Sequence, residues 1–78
     1  MRAKKPTLVI TFATTTQAMA MEKFCMANGL PGRLIPVPRE ITAGCGLSWK
    51  ADPADKEALE NALTPHAMKW QEMHIIEI

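Results

Sequence analysis

A six-residue run, Thr7-Leu8-Val9-Ile10-Thr11-Phe12, gives way within two residues to a helix-start signal. The run is rich in β-branched and aromatic residues and reads as a strand. Thr14 and Gln17 stand three apart, the spacing of a capping box, so a helix is expected to begin there. Ala18, Met21, Phe24 or Cys25, and Asn28 then recur at helical spacing. Asn28-Gly29 supplies a left-handed stop, and Pro31 prevents the helix from continuing. A strand that must turn at once into a helix of defined length limits the fold to βα units.

The remaining chain extends that pattern. A second strand is expected over about Arg33 to Val37. Pro36 and Pro38 remove two backbone donors, which places it at a sheet edge. A third strand covers about Gly46 to Ala51. Asp52 caps a second helix with Pro53 at its first position. Asp55 and Glu57 suit the positive end of the helix dipole. Ala58, Leu59, Ala62 and Leu63 form its apolar face, and Thr64-Pro65 ends or distorts it. The last strand covers about Glu72 to Ile78. The order is β-α-β-β-α-β, a ferredoxin-like α+β domain with a four-stranded antiparallel sheet and two helices on one face. Residues 1–78 form a single small domain, with 1–6 expected to be flexible.

At 78 residues, such a domain buries only about 60% of its unfolded surface. The core is thin, so a partner or homo-oligomerisation would add stability. The formal net charge of +1 argues against nucleic acid or a membrane surface as the partner, since both attract a strong basic excess. No apolar run approaches the roughly 20 residues of a membrane span. The basic start, Met1 to Pro6, does not lead into a signal-type apolar core. These features point to the cytoplasm.

Metal and cofactor chemistry find little support. Two cysteines without a Cys-x-x-Cys spacing make neither a zinc ribbon nor a thioredoxin-type motif, and in a reducing compartment they are free thiols. Six methionines suggest Cu(I). Yet Met19, Met21 and Met26 share one helix, Met68 and Met73 are distant in sequence, and core or partner packing explains them better. His66 and His74 lack metal-ligand spacing with the cysteines. Trp49 and Trp70 are too few for a base-stacking platform, and Lys4-Lys5 is no nucleic-acid footprint. No cofactor and no metal is expected.

The informative stretch is Val37 to Trp49, where Cys45 stands between Gly44 and Gly46. In the β-α-β-β-α-β order, the turn between the second and third strands lies at the same end of the sheet as the start of the first helix. A helix N-terminus favours an anion nearby, and a thiolate is such an anion. Arg39 belongs to the same turn, where it would favour the thiolate further or serve in docking. Gly44 and Gly46 permit positive φ and leave the thiol open to a partner. Glu40 reads as solvated. Cys25 lies about ten residues down the first helix, roughly 15 Å away along its axis. That exceeds the ~7 Å Cα limit for a disulfide, so Cys25 is a packing residue and no intramolecular bridge is expected.

Leu34-Ile35-Pro36-Val37-Pro38-Arg39-Glu40-Ile41, followed by Cys45-Gly46-Leu47, resembles the selenium/sulfur carrier protein-like family of small bacterial proteins. That pattern is an apolar strand, Pro-x-Pro-Arg, an Ile or Leu, a small-residue spacer and Cys-Gly. Phe12, the threonine cluster, Ala18 and Glu22 match the strand-to-helix segment. Lys50 stands where the family often carries arginine, which keeps the charge but loses the planar fork. The resemblance implies that Cys45 is the functional thiol and Arg39 its neighbour. The expected role is a stoichiometric carrier, not an enzyme. Cys45 would accept sulfur or selenium from a protein donor such as a cysteine desulfurase and pass it to an acceptor enzyme. The competing reading is a non-catalytic binding or regulatory module that uses the 38–46 turn as an interface.

Overall fold

The computed structural model describes residues 5–41, 45–66 and 69–78. Its elements are β1 (Pro6–Thr11), α1 (Thr15–Asn28), β2 (Arg33–Pro36), β3 (Leu47–Ala51), α2 (Lys56–Leu63) and β4 (Glu72–Glu77). The strands form one antiparallel sheet in the order β2-β3-β1-β4. The fold is ferredoxin-like α+β, with β2 at an edge as its prolines require.

Both ends of α1 follow the sequence signals. The Thr14 hydroxyl accepts the Gln17 N–H at 3.2 Å. The Gln17 amide oxygen accepts the Ala13 N–H at 3.1 Å, one residue further back than in the standard capping box. Gly29, at φ 65°, closes the helix by donating to the Cys25 carbonyl. Leu30 donates to the same carbonyl at 2.9 Å, and Pro31 stands two residues beyond the cap. Ala18, Met21 and Cys25 are buried, while Asn28 is exposed and donates to the Phe24 carbonyl.

The second helix differs in detail from the sequence reading. Asp52 does act as a cap, accepting the Ala54 N–H at 2.9 Å. It opens a 3-10 turn at Pro53–Asp55, and the α-helix starts only at Lys56. Leu59 and Leu63 are buried, but Ala58 is exposed and Ala62 only half-buried. An eight-residue helix rests on the sheet through one i, i+4 ridge, and the two leucines occupy it. Thr64-Pro65 ends the helix in a second 3-10 turn, Thr64–His66.

Strand alternation separates the two sheet faces. Leu8 lies opposite Ala51 and Ile10 opposite Trp49. With Phe12, these residues join Ala18, Met21 and Cys25 of α1 and Leu59 and Leu63 of α2 in one core. Both helices therefore cover the same face. On the other face Thr7, Val9, Thr11 and Ser48 are buried, although none belongs to that core. Val9 stands in register between Lys50 and His74. Small side chains between longer ones lose solvent contact without a second layer above them. The methionines divide in an unexpected way: Met21 is in the core, whereas Met19 and Met26 are exposed. Met68 lies outside the described residues.

At the start of the chain, Pro6 already belongs to β1, and the Lys5 backbone N–H and carbonyl both face Ile78. The rest of the start expected to be flexible, 1–4, lies outside the described residues. Among the described residues, no helix is long and apolar enough to cross a membrane.

The bend into β2 is fixed by a close approach to the core tryptophan. Trp49 is buried, and its indole N–H donates to the Pro31 carbonyl at 3.0 Å. Gly32 adopts φ 110°, and a Cβ there would overlap the Trp49 indole nitrogen and lie 2.5 Å from the Lys50 carbonyl. Gly32→Ala is predicted to lose about 3 kcal/mol or more, because backbone strain and overpacking act together. Equilibrium urea unfolding, followed by Trp49 fluorescence, measures this loss. A loss below about 1 kcal/mol would mean that the approach is not required.

Candidate functional site: the Cys45 thiol at the end of the sheet

The loop between β2 and β3 is tied down at both ends. Val37 donates to the Gly46 carbonyl at 2.9 Å, which closes the base of the hairpin. Ile41 donates to the Pro38 carbonyl at 2.9 Å, so Pro38 to Ile41 is a tight turn. Ile41 is buried and anchors that turn, while Arg39 and Glu40 are exposed on it. Gly44, expected to line the site, lies outside the described residues. Gly46 has φ 94°, and a Cβ added to it would meet nothing within 4 Å. Its glycine requirement therefore comes from the backbone alone, unlike that of Gly32.

Cys45 joins this loop to the centre of the sheet. Its N–H donates to the Phe12 carbonyl at 3.0 Å. Phe12 directly follows β1 and precedes the cap of α1 by two residues. The cysteine is thus held at the sheet end where α1 starts, as the strand order implies. Its side chain is half-buried and packs against the core. Among the described residues the thiol has one polar contact, the Leu47 carbonyl at 4.0 Å, at the outer limit for a weak S–H donor. The N–H groups of α1 are neighbours of the loop and not ligands of the sulfur.

Arg39 and Cys45 share the loop, but no hydrogen bond or ion pair joins Arg39 to any described residue. Its side chain is exposed on the turn. Lys50, Leu47 and Trp49 all lie on β3, beyond the loop.

Two residues at this end escaped the sequence reading. Lys69 and Trp70 line a shallow depression of about 360 Å³ with Ala13 and Gln17. The Gln71 N–H donates to the Thr11 carbonyl at 2.7 Å, and the Glu72 N–H donates to the Thr11 hydroxyl at 3.1 Å. These bonds bring the entry to β4 against the end of β1, on the side opposite Cys45. The signal was indirect: the central place of β1 puts the entries to β3 and β4 on either flank of its last residue.

Cys25 is different in kind. It has no solvent exposure, and burial pushes its thiol up to about 11 from 9.0. Both thiols are free. Among the described residues no cluster of His, Cys, Asp and Glu could hold a metal ion.

The domain is thus ferredoxin-like, with one half-buried loop thiol held beside the start of its first helix. The chain belongs to the family described as "Putative Se/S carrier protein-like", whose model matches residues 7–75. No curated protein and no solved structure matches it.

The Cys25 shift makes an alkaline prediction. Its folded value lies above its unfolded one, so its contribution is complete below pH 9 and is lost as pH rises towards 11. Native protein is expected to lose about 2 kcal/mol more than Cys25→Ala over that interval. Urea unfolding at a series of pH values measures the difference, and parallel profiles for the two proteins would remove the effect. At neutral pH, iodoacetamide should label Cys45 in the folded protein and reach Cys25 only after denaturant is added, as read by peptide mass.

Proposed function

We propose that the protein carries a sulfur or selenium atom on Cys45. The observation that supports this reading most is the contrast between the two thiols. Cys25 is sealed in the core with its thiol held protonated, whereas Cys45 sits half-exposed on a glycine-bearing loop. A carrier needs one accessible nucleophile and no second cysteine near enough to discharge its cargo as a disulfide. Family membership agrees with that assignment.

The transfer balances without an external oxidant. Cys45 thiolate attacks the outer sulfur of a donor enzyme's persulfide. A Cys45–S–SH bond forms, the donor's S–S bond breaks, and the donor leaves as a thiolate. A nucleophile on the acceptor then attacks the outer sulfur, and Cys45 is regenerated as thiolate. Selenium follows the same path through a selenosulfide, Cys45–S–SeH. A persulfide is an established state of an accessible thiolate. The donor is a protein such as a cysteine desulfurase, the protein acts stoichiometrically, and the work takes place in the cytoplasm.

Arg39 and Glu40 belong to docking in this scheme. They are exposed on the turn that precedes the thiol, and neither has an ion-pair partner among the described residues. A rim charge acts mainly on encounter with a partner.

Incubation with a cysteine desulfurase and cysteine, followed by peptide mass spectrometry, tests the carrier reading. The Cys45 peptide should gain the mass of one sulfur, and a reductant should remove it. Cys25→Ser should load normally and Cys45→Ser should not. Absence of loading on Cys45, with the desulfurase active, would sink the proposal. Arg39→Ala is predicted to slow loading about two- to fivefold while its rate of iodoacetamide labelling stays the same. Equal slowing of both reactions would instead make Arg39 an activator of the thiol.

A further inference from the structure

The opposite end of the sheet carries a second feature, unrelated to the thiol. A cavity of about 260 Å³ is lined by Lys5, Thr7, Arg33, Lys50 and Asp52. We propose that this cavity binds a small molecule through a phosphate-class oxyanion, held by Lys5, Arg33 and Lys50.

The strand register places the charges. Arg33 of β2 lies directly opposite Lys50 of β3. Lys50 stands between Trp49 and Ala51, both in the helix-side core, so it projects from the helix-free face. Its cross-strand partner Arg33 projects from the same face. Like charges directly opposite one another destabilise a bare sheet. Lys5 approaches from the third side, where two backbone contacts to Ile78, at 3.5 and 3.3 Å, hold it at the start of β1.

Compensation within the chain is weak. Asp52 is the single carboxylate in the lining, and its Oδ1 already accepts the Ala54 N–H as a helix-start cap. None of the three cations has an ion-pair partner among the described residues, whereas Lys56 on α2 pairs with Glu60 at 3.1 Å. The whole chain carries a formal charge of only +1. Three cations against one committed carboxylate therefore form a local excess and not a sample of a basic surface. An arginine fork and two ammonium groups match a tetrahedral oxyanion, the fork by paired hydrogen bonds and the ammoniums as point charges.

Shape favours a small ligand. The lining comes from three adjacent strand segments around a concavity, and its volume exceeds that of a bare phosphate, leaving space for a compact organic body. The volume falls just below the usual range for drug-sized ligands. Thr7 offers no donor, because its hydroxyl donates to the Lys5 carbonyl at 3.1 Å. Recognition rests on the cations. Pro6 to Thr11 separates this cavity from the Phe12 carbonyl that holds Cys45, a span of roughly 20 Å. The two sites are therefore independent in space.

Titration with inorganic phosphate at fixed ionic strength, read by 15N amide shifts, tests the assignment. Saturable shifts are expected at Thr7, Arg33, Lys50, Ala51 and Asp52. Arg33→Gln and Lys50→Met should each weaken the dissociation constant about tenfold or more. Lys23→Met and Lys56→Met should leave it unchanged, as should Cys45→Ser. In low salt without phosphate, Lys50→Met should melt at a higher temperature than the native chain, because the opposed like charges are gone. That result also shows that the variant folds. Shifts that do not saturate, that spread equally to Lys23 and Lys56, or that survive in the Arg33→Gln, Lys50→Met double variant would overturn the proposal. So would saturable binding of a poly-glutamate peptide with no response to phosphate.

Discussion

Everything at the thiol end depends on β1 being hydrogen-bonded on both sides. A strand in that position has no free edge, and residues on both of its faces are buried here. Leu8 and Ile10, with Phe12 just beyond the strand, supply the helix-side core, and Thr7, Val9 and Thr11 supply compact buried residues on the other face. Because β3 and β4 both run antiparallel to β1, both enter the sheet beside its last residue. The Cys45 N–H finds the Phe12 carbonyl there, and the Gln71 N–H finds the Thr11 carbonyl. Chain topology alone thus gathers the cysteine loop, the start of α1 and the Lys69-Trp70 segment at one end.

The same thin fold handles two thiols in opposite ways. One is placed on a helix face under the sheet, where removal from water keeps it protonated. The other is placed on a loop tied down by backbone bonds at Val37, Ile41 and Cys45, and its side chain keeps part of its surface. Burial therefore separates the two thiols before any neighbouring charge acts. Arg39, the obvious charge in the sequence, is exposed on the turn and unpaired among the described residues. Water and salt weaken any influence it has on the sulfur.

Charge follows a comparable logic along the sheet. The near-neutral total conceals a separation: Arg39, exposed and unpaired among the described residues, at one end, and the opposed Arg33 and Lys50 near the other. A net charge describes the field far from the molecule. It says little about a cavity where register aligns two cations across a strand pair.

Much of the fold was legible in the chain itself, because local signals agree with one another. The Thr14 cap, the Asn28-Gly29 stop and the prolines flanking β2 each act within a few residues, and each does what its stereochemistry requires. The order of these elements leaves few ways to pair the strands, so the position of Cys45 beside the start of α1 was also within reach. The second helix was less legible. Asp52-Pro53 signals a helix start, but it does not say that a 3-10 turn comes first or that only Leu59 and Leu63 reach the core. What the sequence could not supply was everything that depends on contacts between distant segments. Gly32 is required because Trp49 presses against it from another strand. Lys5, Arg33 and Lys50 become one cluster only when three segments pair in a particular register. Trp70 reaches the thiol end because its neighbours Gln71 and Glu72 hydrogen-bond to Thr11, some sixty residues earlier. Local sequence determines where the backbone bends and which faces are apolar. The register of long-range pairing determines which side chains meet, and no short stretch of the chain contains that information.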